Sequence, residues 1–247
     1  MRKRVSELEK ENEMYKKNEN IGLTLCQKFL EINDIGKKLE KFEKENELLK
    51  QKMEFLLGYE YIFDVDFDEL KRLYEEMRKT STIIGSPKNL GLIMKGIRKT
   101  VNKKINKISL LLKASKDGDS SQVFHQKCDN KVNTLTLVTT DKNRKFGGYT
   151  SVNWDQSNKY KVDIYSFIFS LDNFEIYYPK NPNNQSAIYC NSSYCATFGT
   201  GHDNCRGNNN SYDNSNSHYD TQGKKYALAC EYNFKVLDYE VYQLEYY

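Results

Sequence analysis

A chain of 247 residues with 38% hydrophobic and 29% charged side chains has room for one ordinary domain and one extended element. It contains no apolar run near the ~20 residues that a membrane-spanning helix requires, and its first residues lack the apolar core of a secretory signal. These features argue against an integral membrane protein. They predict a soluble, cytoplasmic protein, with peripheral attachment to endomembranes as the one membrane association left open.

Charge and composition change along the chain. Residues 1–113 carry 25 Lys and Arg against 19 Asp and Glu, whereas residues 114–247 carry 13 against 15 and most of the Tyr, Phe and Asn. We therefore expect two structural regimes. The predicted organisation is a coiled coil over residues 1–58, a helical linker region over residues 59–107 and a further domain over residues 108–247.

The first predicted element is a long helix with an apolar seam. Apolar residues recur at alternating intervals of 3 and 4 residues, with Lys and Glu between them, which is the heptad pattern of a coiled coil. Asn46 at an a position is typical of a seam that specifies register and a dimer. We expect a parallel homodimer, with folding back onto a helix of the same chain as the alternative. The a positions are Ile32, Leu39, Asn46 and Met53, and the d positions are Ile35, Phe42, Leu49 and Leu56.

Two more helices are predicted before residue 114. Acidic residues open the segment FDVDFDELKRLYEEMRKT, which favours helix initiation, and the turn around Gly85 and Pro87 ends it. The segment from Leu90 to Lys113 then places Ile and Leu along one helical face, with seven Lys and Arg between Lys95 and Lys113 and no acid. A basic amphipathic helix of this kind binds anionic membranes or nucleic acid in some proteins and is a solvated surface in most.

The hydrophobic period changes from 3.6 to 2 after Cys128. TLTLV (134–138), SFIFSL (166–171), YALACEYNFKV (226–236) and YEVYQLEY (239–246) are predicted as strands, and SFIFSL as a strand covered on both faces. A short helix is expected at DSSQVFHQKC with Asp119 as its cap. The predicted fold class is α+β, with the helical coiled coil followed by an antiparallel β-sandwich that helices flank.

The stretch FGGYTSVNWD (146–155) contains adjacent glycines and the only tryptophan. No helical pattern follows it, which argues against a phosphate-binding loop, and it lacks the GxSxG turn of α/β-hydrolases. Gly147 and Gly148 are instead predicted to form a strand kink or bulge where a side chain would collide with the facing sheet, with Trp154 packed over that corner.

The C-terminal half resembles the TLDc domain. The resemblance covers residues 108–246 and is carried, in order, by LLLKASKDGDSSQVFHQKCDNKVNTLTLV, FGGYTSVNWD, FIFSL, AIYCNSSYCATFGTGHD and YNFKVLDYEVYQL. It implies a two-sheet β-sandwich with no enzymatic activity and no cofactor. Proteins with this domain are described as protecting cells against oxidative stress, and several bind the vacuolar proton-pumping ATPase. We therefore expect an interaction module on a dimerising arm, with subunits of that pump as the expected protein partner.

A hydrolase or redox enzyme is the rival hypothesis. A Ser, His and Glu grouping has been discussed in TLDc domains, and the candidates here are Ser151, His202 and Glu240. His202 follows the Gly199-x-Gly201 turn, whose amides could bind an anion. The simpler interpretation is that the two glycines form a tight turn and that His202 satisfies loop backbone groups.

The cysteines and acidic residues offer two further kinds of chemistry. The spacing of Cys190, Cys195 and the later His and Asp residues matches no zinc or EF-hand pattern, so no metal is expected. The six cysteines are predicted to be reduced thiols. Cys195 and Cys205 are the candidates for an exposed, oxidisable thiol, whereas Cys26, Cys128 and Cys230 are expected to be inert packing residues.

Overall fold

A computed structural model describes residues 66–181, 186–199, 203–204 and 211–247, together with residues 32–47 and the isolated positions 4, 7–8, 10–14, 16, 28 and 30. The chain divides into two compact units, Met1–Glu54 and Phe55–Tyr247.

In the first unit, residues 32–47 form a continuous helix, α1. Its seam residues Ile32, Ile35, Leu39 and Phe42 lie on one face and are 59–65% exposed. Asn46 is helical and exposed as well. An apolar stripe that stays in water on a single helix needs a partner for stability. The remaining predicted seam positions, Leu49, Met53 and Leu56, lie outside the described residues.

The second unit contains four α-helices and all the described strands. The helices are α2 (Phe67–Met77), α3 (Pro87–Val101), α4 (Ala114–Asp117) and α5 (Ser121–Cys128). The strands are β1 (Ile105–Lys113), β2 (Thr134–Thr140), β3 (Lys145–Thr150), β4 (Lys159–Lys161), β5 (Phe167–Ser170), β6 (Glu175–Tyr177), β7 (Ile188–Cys190), β8 (Thr197–Phe198), β9 (Asp203–Asn204), β10 (Ser211–Tyr212), β11 (Asn233–Phe234) and β12 (Val236–Tyr246).

These strands form two six-stranded sheets. Sheet 1 has the order β1-β12-β2-β3-β5-β6 and is antiparallel throughout. Sheet 2 has the order β11-β10-β9-β8-β7-β4 and is antiparallel except between β9 and β10. The unit is therefore an α+β, sheet-rich domain.

The first hydrophobic cluster joins one face of sheet 1 to α2 and α3. Leu70 of α2 and Ile93 of α3 pack with Leu135, Phe167 and Tyr242 of the sheet, all of them buried. The helices are held in place by capping: the Asp66 carboxylate accepts from two backbone amides of α2, and the Ser86 hydroxyl accepts from one of α3.

The second cluster lies between the opposite face of sheet 1 and sheet 2. Val138 and Ile168 of sheet 1 share it with Ile188 and Phe198 of sheet 2 and with Phe124 of α5. Ile168 belongs to this cluster while its neighbour on β5 belongs to the first one, because successive side chains of a strand point to opposite faces. SFIFSL is thus a strand covered on both sides, as predicted.

The predicted basic helix from Leu90 to Lys113 is wrong in its second half. Helix α3 ends at Val101, and Asn102 takes the left-handed conformation (φ 55°) that Asn tolerates at a helix C-terminus. The following Ile105, Ile108 and Leu112 are buried in β1 rather than on a helix. Register shifts at both ends of β1 place buried residues 3 and 4 positions apart, which imitates the helical period.

The strand predicted over residues 226–236 is also wrong, because Tyr226 and Cys230 both have left-handed φ angles (54° and 64°). Residues 224–231 form turns, and only Asn233–Phe234 and the β12 segment from Val236 are extended. The buried Asp213 carboxylate fixes these turns by accepting from the backbone amides of Leu228 and Ala229. The period-2 alternation of apolar residues here reflects a coiled loop.

Two smaller predictions are corrected. Ser120 rather than Asp119 caps α5, since its hydroxyl accepts from the backbone amide of Val123. Gly85 lies in the left-handed region between the two helices, but Pro87 begins α3 rather than ending α2.

Candidate functional site

Glu240, a candidate catalytic carboxylate, lies at the centre of a buried polar network. It is fully buried on β12. Its oxygens accept from the Ser81 hydroxyl at 2.5 Å, the Thr82 amide at 2.8 Å, the Lys113 ammonium at 2.9 Å and the Tyr242 hydroxyl at 3.1 Å. Both carboxylate oxygens accept hydrogen bonds from protein donors, so Glu240 joins β12 to β1 and to the α2–α3 connection.

The hydroxyl of Ser151, the candidate nucleophile, donates to a different carboxylate, that of Asp163. Its hydroxyl donates to Asp163 Oδ1 at 2.7 Å, and its backbone amide donates to Asp163 Oδ2 at 2.6 Å. The neighbouring Thr150 hydroxyl donates to the same oxygen, and Asp163 is 3% exposed. This arrangement ties the end of β3 to the turn at Asp163, and the Ser151 proton is directed at that carboxylate.

The structure does not bring Ser151 and Glu240 together. Glu240 pairs with Leu137 on β2, whereas the strand that leads to Ser151 ends opposite Thr134, three residues further along β2. At ~3.3 Å per strand residue, that register separates the two positions by roughly 10 Å along the sheet. His202 and Gly201 lie outside the described residues. Gly199 follows β8 with φ 69°, and its amide donates to Ala187.

The two adjacent glycines lie in a regular part of β3. Both pair with β2 and β5 without a shift in register, so the predicted kink or bulge is wrong. A Cβ at Gly147 would lie 2.0 Å from the Thr136 carbonyl oxygen, and one at Gly148 would lie 2.6 Å from the Phe198 ring of sheet 2. Glycine is required because neighbouring strands and the facing sheet leave no room for a side chain.

Trp154 closes the second cluster beside these glycines. It is 1% exposed and packs edge-on against Phe124 and Phe198. Its indole nitrogen donates to the Thr134 hydroxyl at 2.8 Å, which satisfies the buried polar atom. Trp154 is therefore a packing residue that joins α5, sheet 1 and sheet 2.

The thiols differ from the expected pattern. Cys195, a candidate redox residue, is 2% exposed, whereas Cys230, expected to be inert, is exposed. The Arg144 guanidinium donates to the Cys230 sulfur at 2.6 Å. Burial raises the pKa of Cys190 to about 11 and also raises that of Cys128. Cys26 and Cys205 lie outside the described residues. Within the described part of the chain, no three His, Cys, Asp or Glu residues are grouped as a metal site would require.

An exposed apolar patch lies at the edge of sheet 2, on β4 and the four residues that follow it. Tyr160, Val162, Ile164 and Tyr165, which we term the edge patch, are 40–50% exposed. β4 pairs with β7 on one side only, since it is the last strand of its sheet. The alternation in KYKVDIY signals this surface in the sequence, but the pattern alone cannot distinguish a face turned to water from one turned to the core. Exposed apolar patches at sheet edges are typical of protein–protein contacts.

We predict that Glu240→Gln lowers the free energy of unfolding by about 3–5 kcal/mol, because the amide replaces an acceptor oxygen with a donor and leaves the Lys113 ammonium, whose side chain is 13% exposed, without a counter-charge. Denaturant unfolding of the full chain measures this. Glu245→Gln is the matched control: its pair with Lys107 is exposed and 3.9 Å long, so the expected change is below ~1 kcal/mol. Equal effects of the two substitutions would contradict a central role for Glu240.

We predict that iodoacetamide modifies Cys230 first among Cys128, Cys190, Cys195 and Cys230 when the folded protein is treated near neutral pH. Cys230 is exposed beside a guanidinium, whereas the buried Cys190, with a pKa of about 11, stays protonated. Mass spectrometry of the four peptides gives the rates, and the unfolded protein is the control in which all four thiols react. Modification of Cys195 as fast as Cys230 would refute the assignment.

The described helices include none long and apolar enough to span a bilayer. A comparison with curated proteins finds no match. The family model of the TLDc domain matches residues 78–245, which is more than half of the chain and includes α3, both sheets and the Glu240 network. This match begins upstream of the residue 108 boundary expected from the sequence motifs. The protein therefore belongs to the TLDc domain family.

Proposed function

We propose that this protein is a non-catalytic interaction module: a TLDc β-sandwich on a helical arm that pairs two copies, acting in oxidative-stress protection or in regulation of the vacuolar proton-pumping ATPase. The observation that carries the proposal is the TLDc match over residues 78–245. The resemblance supplies the partner, since several TLDc proteins bind this pump.

The commitments of the candidate catalytic groups support a non-catalytic role. The Ser151 hydroxyl donates to Asp163, and the Glu240 carboxylate accepts from Lys113 and four further donors. In a Ser, His and Glu arrangement, the hydroxyl would instead donate to the imidazole and the carboxylate would accept from it. A hydrolase centred on His202 would need a nucleophile other than Ser151 and a carboxylate other than Glu240. A redox enzyme would need a thiol other than that of the buried Cys195.

The edge patch is the surface that we assign to the protein partner. A β4 edge open on one side offers backbone groups for strand addition, and the exposed Val162 and Ile164 offer apolar anchors beside it. The rings of Tyr160 and Tyr189, 4.6 Å apart, extend the patch onto β7. Tyrosine and aliphatic side chains of this kind are typical of interface cores.

We predict that the full chain binds purified vacuolar ATPase and that Val162→Ser/Ile164→Ser weakens this binding at least about tenfold, because interface anchors contribute more than ~1 kcal/mol each. Biolayer interferometry with immobilised pump measures the dissociation constant. The matched control is Val132→Ser/Leu237→Ser, which removes similar exposed apolar surface elsewhere and should leave binding unchanged. No binding by the unmodified chain would refute the pump as partner, and equal losses in both variants would refute the edge patch.

We predict that the full chain sediments at twice its mass of 29.0 kDa and that Leu39→Lys returns it to the monomer mass. The substitution buries a charge at an a position of the seam. Glu40→Lys places the same side chain beside the seam and should leave the dimer intact. Sedimentation equilibrium at micromolar concentration distinguishes the outcomes. A monomeric unmodified chain would favour the alternative in which α1 folds back onto its own chain.

A further inference from the structure

Helix α3 is covered almost everywhere except along a ridge of lysines. Of its 15 residues, only Lys95 and Lys99 are exposed. They lie four residues apart and therefore project from the same side, opposite Ile93 and Ile97, which are buried against sheet 1. The exposed Lys103 lies two residues beyond the end of the helix, after the left-handed Asn102. We term Lys95, Lys99 and Lys103 the lysine ridge.

The structure divides the basic residues of this region into two groups. Arg98 pairs with Glu69, Lys104 with Asp66, Lys107 with Glu245 and Lys113 with Glu240. The lysine ridge has no carboxylate partner among the described residues, and residues 87–113 contain no Asp or Glu at all. The positive charge of the ridge is therefore uncompensated locally, unlike that of its neighbours.

One member of the ridge, Lys99, is held in place by an aromatic ring. Its ammonium lies over the face of Tyr178, 4.0 Å from the ring centre, and the neighbouring Lys88 lies in the same way over Phe174 at 4.4 Å. Each of these contacts is a cation–π interaction of the charged end of the side chain. A helix fixed against a sheet presents such charges with less loss of side-chain freedom than a flexible tail does.

We propose that the lysine ridge attaches the domain to the surface of an anionic lipid bilayer. Clustered lysines near an anionic membrane are attracted without a specific pocket, and each contributes about fivefold in affinity. Three such residues give weak, reversible attachment that depends on salt. The lysine ridge lies on and just after α3, which packs against sheet 1, whereas the edge patch is on sheet 2. The inference therefore does not rest on the proposed protein partner.

The composition of the ridge favours a bilayer over other acidic partners. Lysine is depleted in protein–protein interface cores. Nucleic-acid sites rely heavily on arginine, whose planar group binds phosphate in a bidentate manner, and on aromatic rings that stack with bases. Here the one arginine of α3 is committed to Glu69, and Tyr178 lies beneath Lys99. A ridge of lysines alone fits a diffuse layer of phosphate and carboxylate headgroups.

The test is co-sedimentation of the full chain with phosphatidylcholine vesicles that contain 30 mol% phosphatidylserine. We expect binding that pure phosphatidylcholine vesicles do not give, that falls steeply as salt is raised, and that Lys95→Gln/Lys99→Gln/Lys103→Gln weakens about 100-fold. The matched control Lys116→Gln/Lys159→Gln/Lys235→Gln removes equal charge from exposed lysines elsewhere and should retain binding within about threefold. Circular dichroism and thermal melting verify that both variants fold.

The other outcomes overturn the proposal. Equal losses in the two triple variants would mean that net charge, not the ridge, drives attachment. Binding to a DNA duplex that is tighter than to the anionic vesicles and is lost in the ridge variant would assign the surface to nucleic acid. Inhibition by soluble glycerophosphoserine at millimolar concentration would indicate a headgroup pocket instead of a bilayer surface. Absence of binding to the anionic vesicles at low salt would refute attachment altogether.

Discussion

Three buried carboxylates determine how the segments of this domain are joined. Glu240 gathers β12, β1 and the α2–α3 connection, Asp163 holds the end of β3, and Asp213 fixes the turns at 224–231. A buried carboxylate is costly unless donors surround it, and each of these accepts several hydrogen bonds from protein groups. Removing one of the partners would leave an uncompensated charge, so the connections around each acid are obligatory. The apolar clusters supply the driving force for folding, and these carboxylates specify which loops meet.

The same contacts support the proposal that the domain acts in recognition rather than in catalysis. Among the described residues, the buried carboxylates are engaged in internal contacts, and the exposed features include an apolar sheet edge, a lysine ridge and the Cys230 thiol beside a guanidinium. The edge patch lies at the edge of sheet 2, whereas the lysine ridge lies on and just after α3, which packs against sheet 1. Under the two proposals, a protein partner and an anionic surface would therefore bind at separate places.

The sequence correctly predicts those strands in which the spacing of apolar residues reflects which faces of the strand are buried. β2 is predicted by the alternation of Leu135 and Leu137 with threonines and β5 by its apolar run, and the need for glycine at Gly148 is correctly attributed to the facing sheet. The basic helix failed because the bulges of β1 copy a helical spacing, and the strand at 226–236 failed because Tyr226 and Cys230 adopt left-handed conformations. Side-chain partners were beyond sequence reasoning. The exposure of Cys230, the burial of Cys195 and the separation of Ser151 from Glu240 all depend on contacts between residues distant in the chain.

The position of β12 constrains how the domain is made. This strand ends at Tyr246, yet it lies between β1, which begins at Ile105, and β2, which begins at Thr134. During synthesis on the ribosome, the first two strands emerge without the one that separates them. Strand β2 can pair with β3 soon after both emerge, but β1 has no partner in sheet 1 until β12 follows, more than a hundred residues later. A product that stopped before β12 would lack the strand that joins β1 to the rest of the sheet.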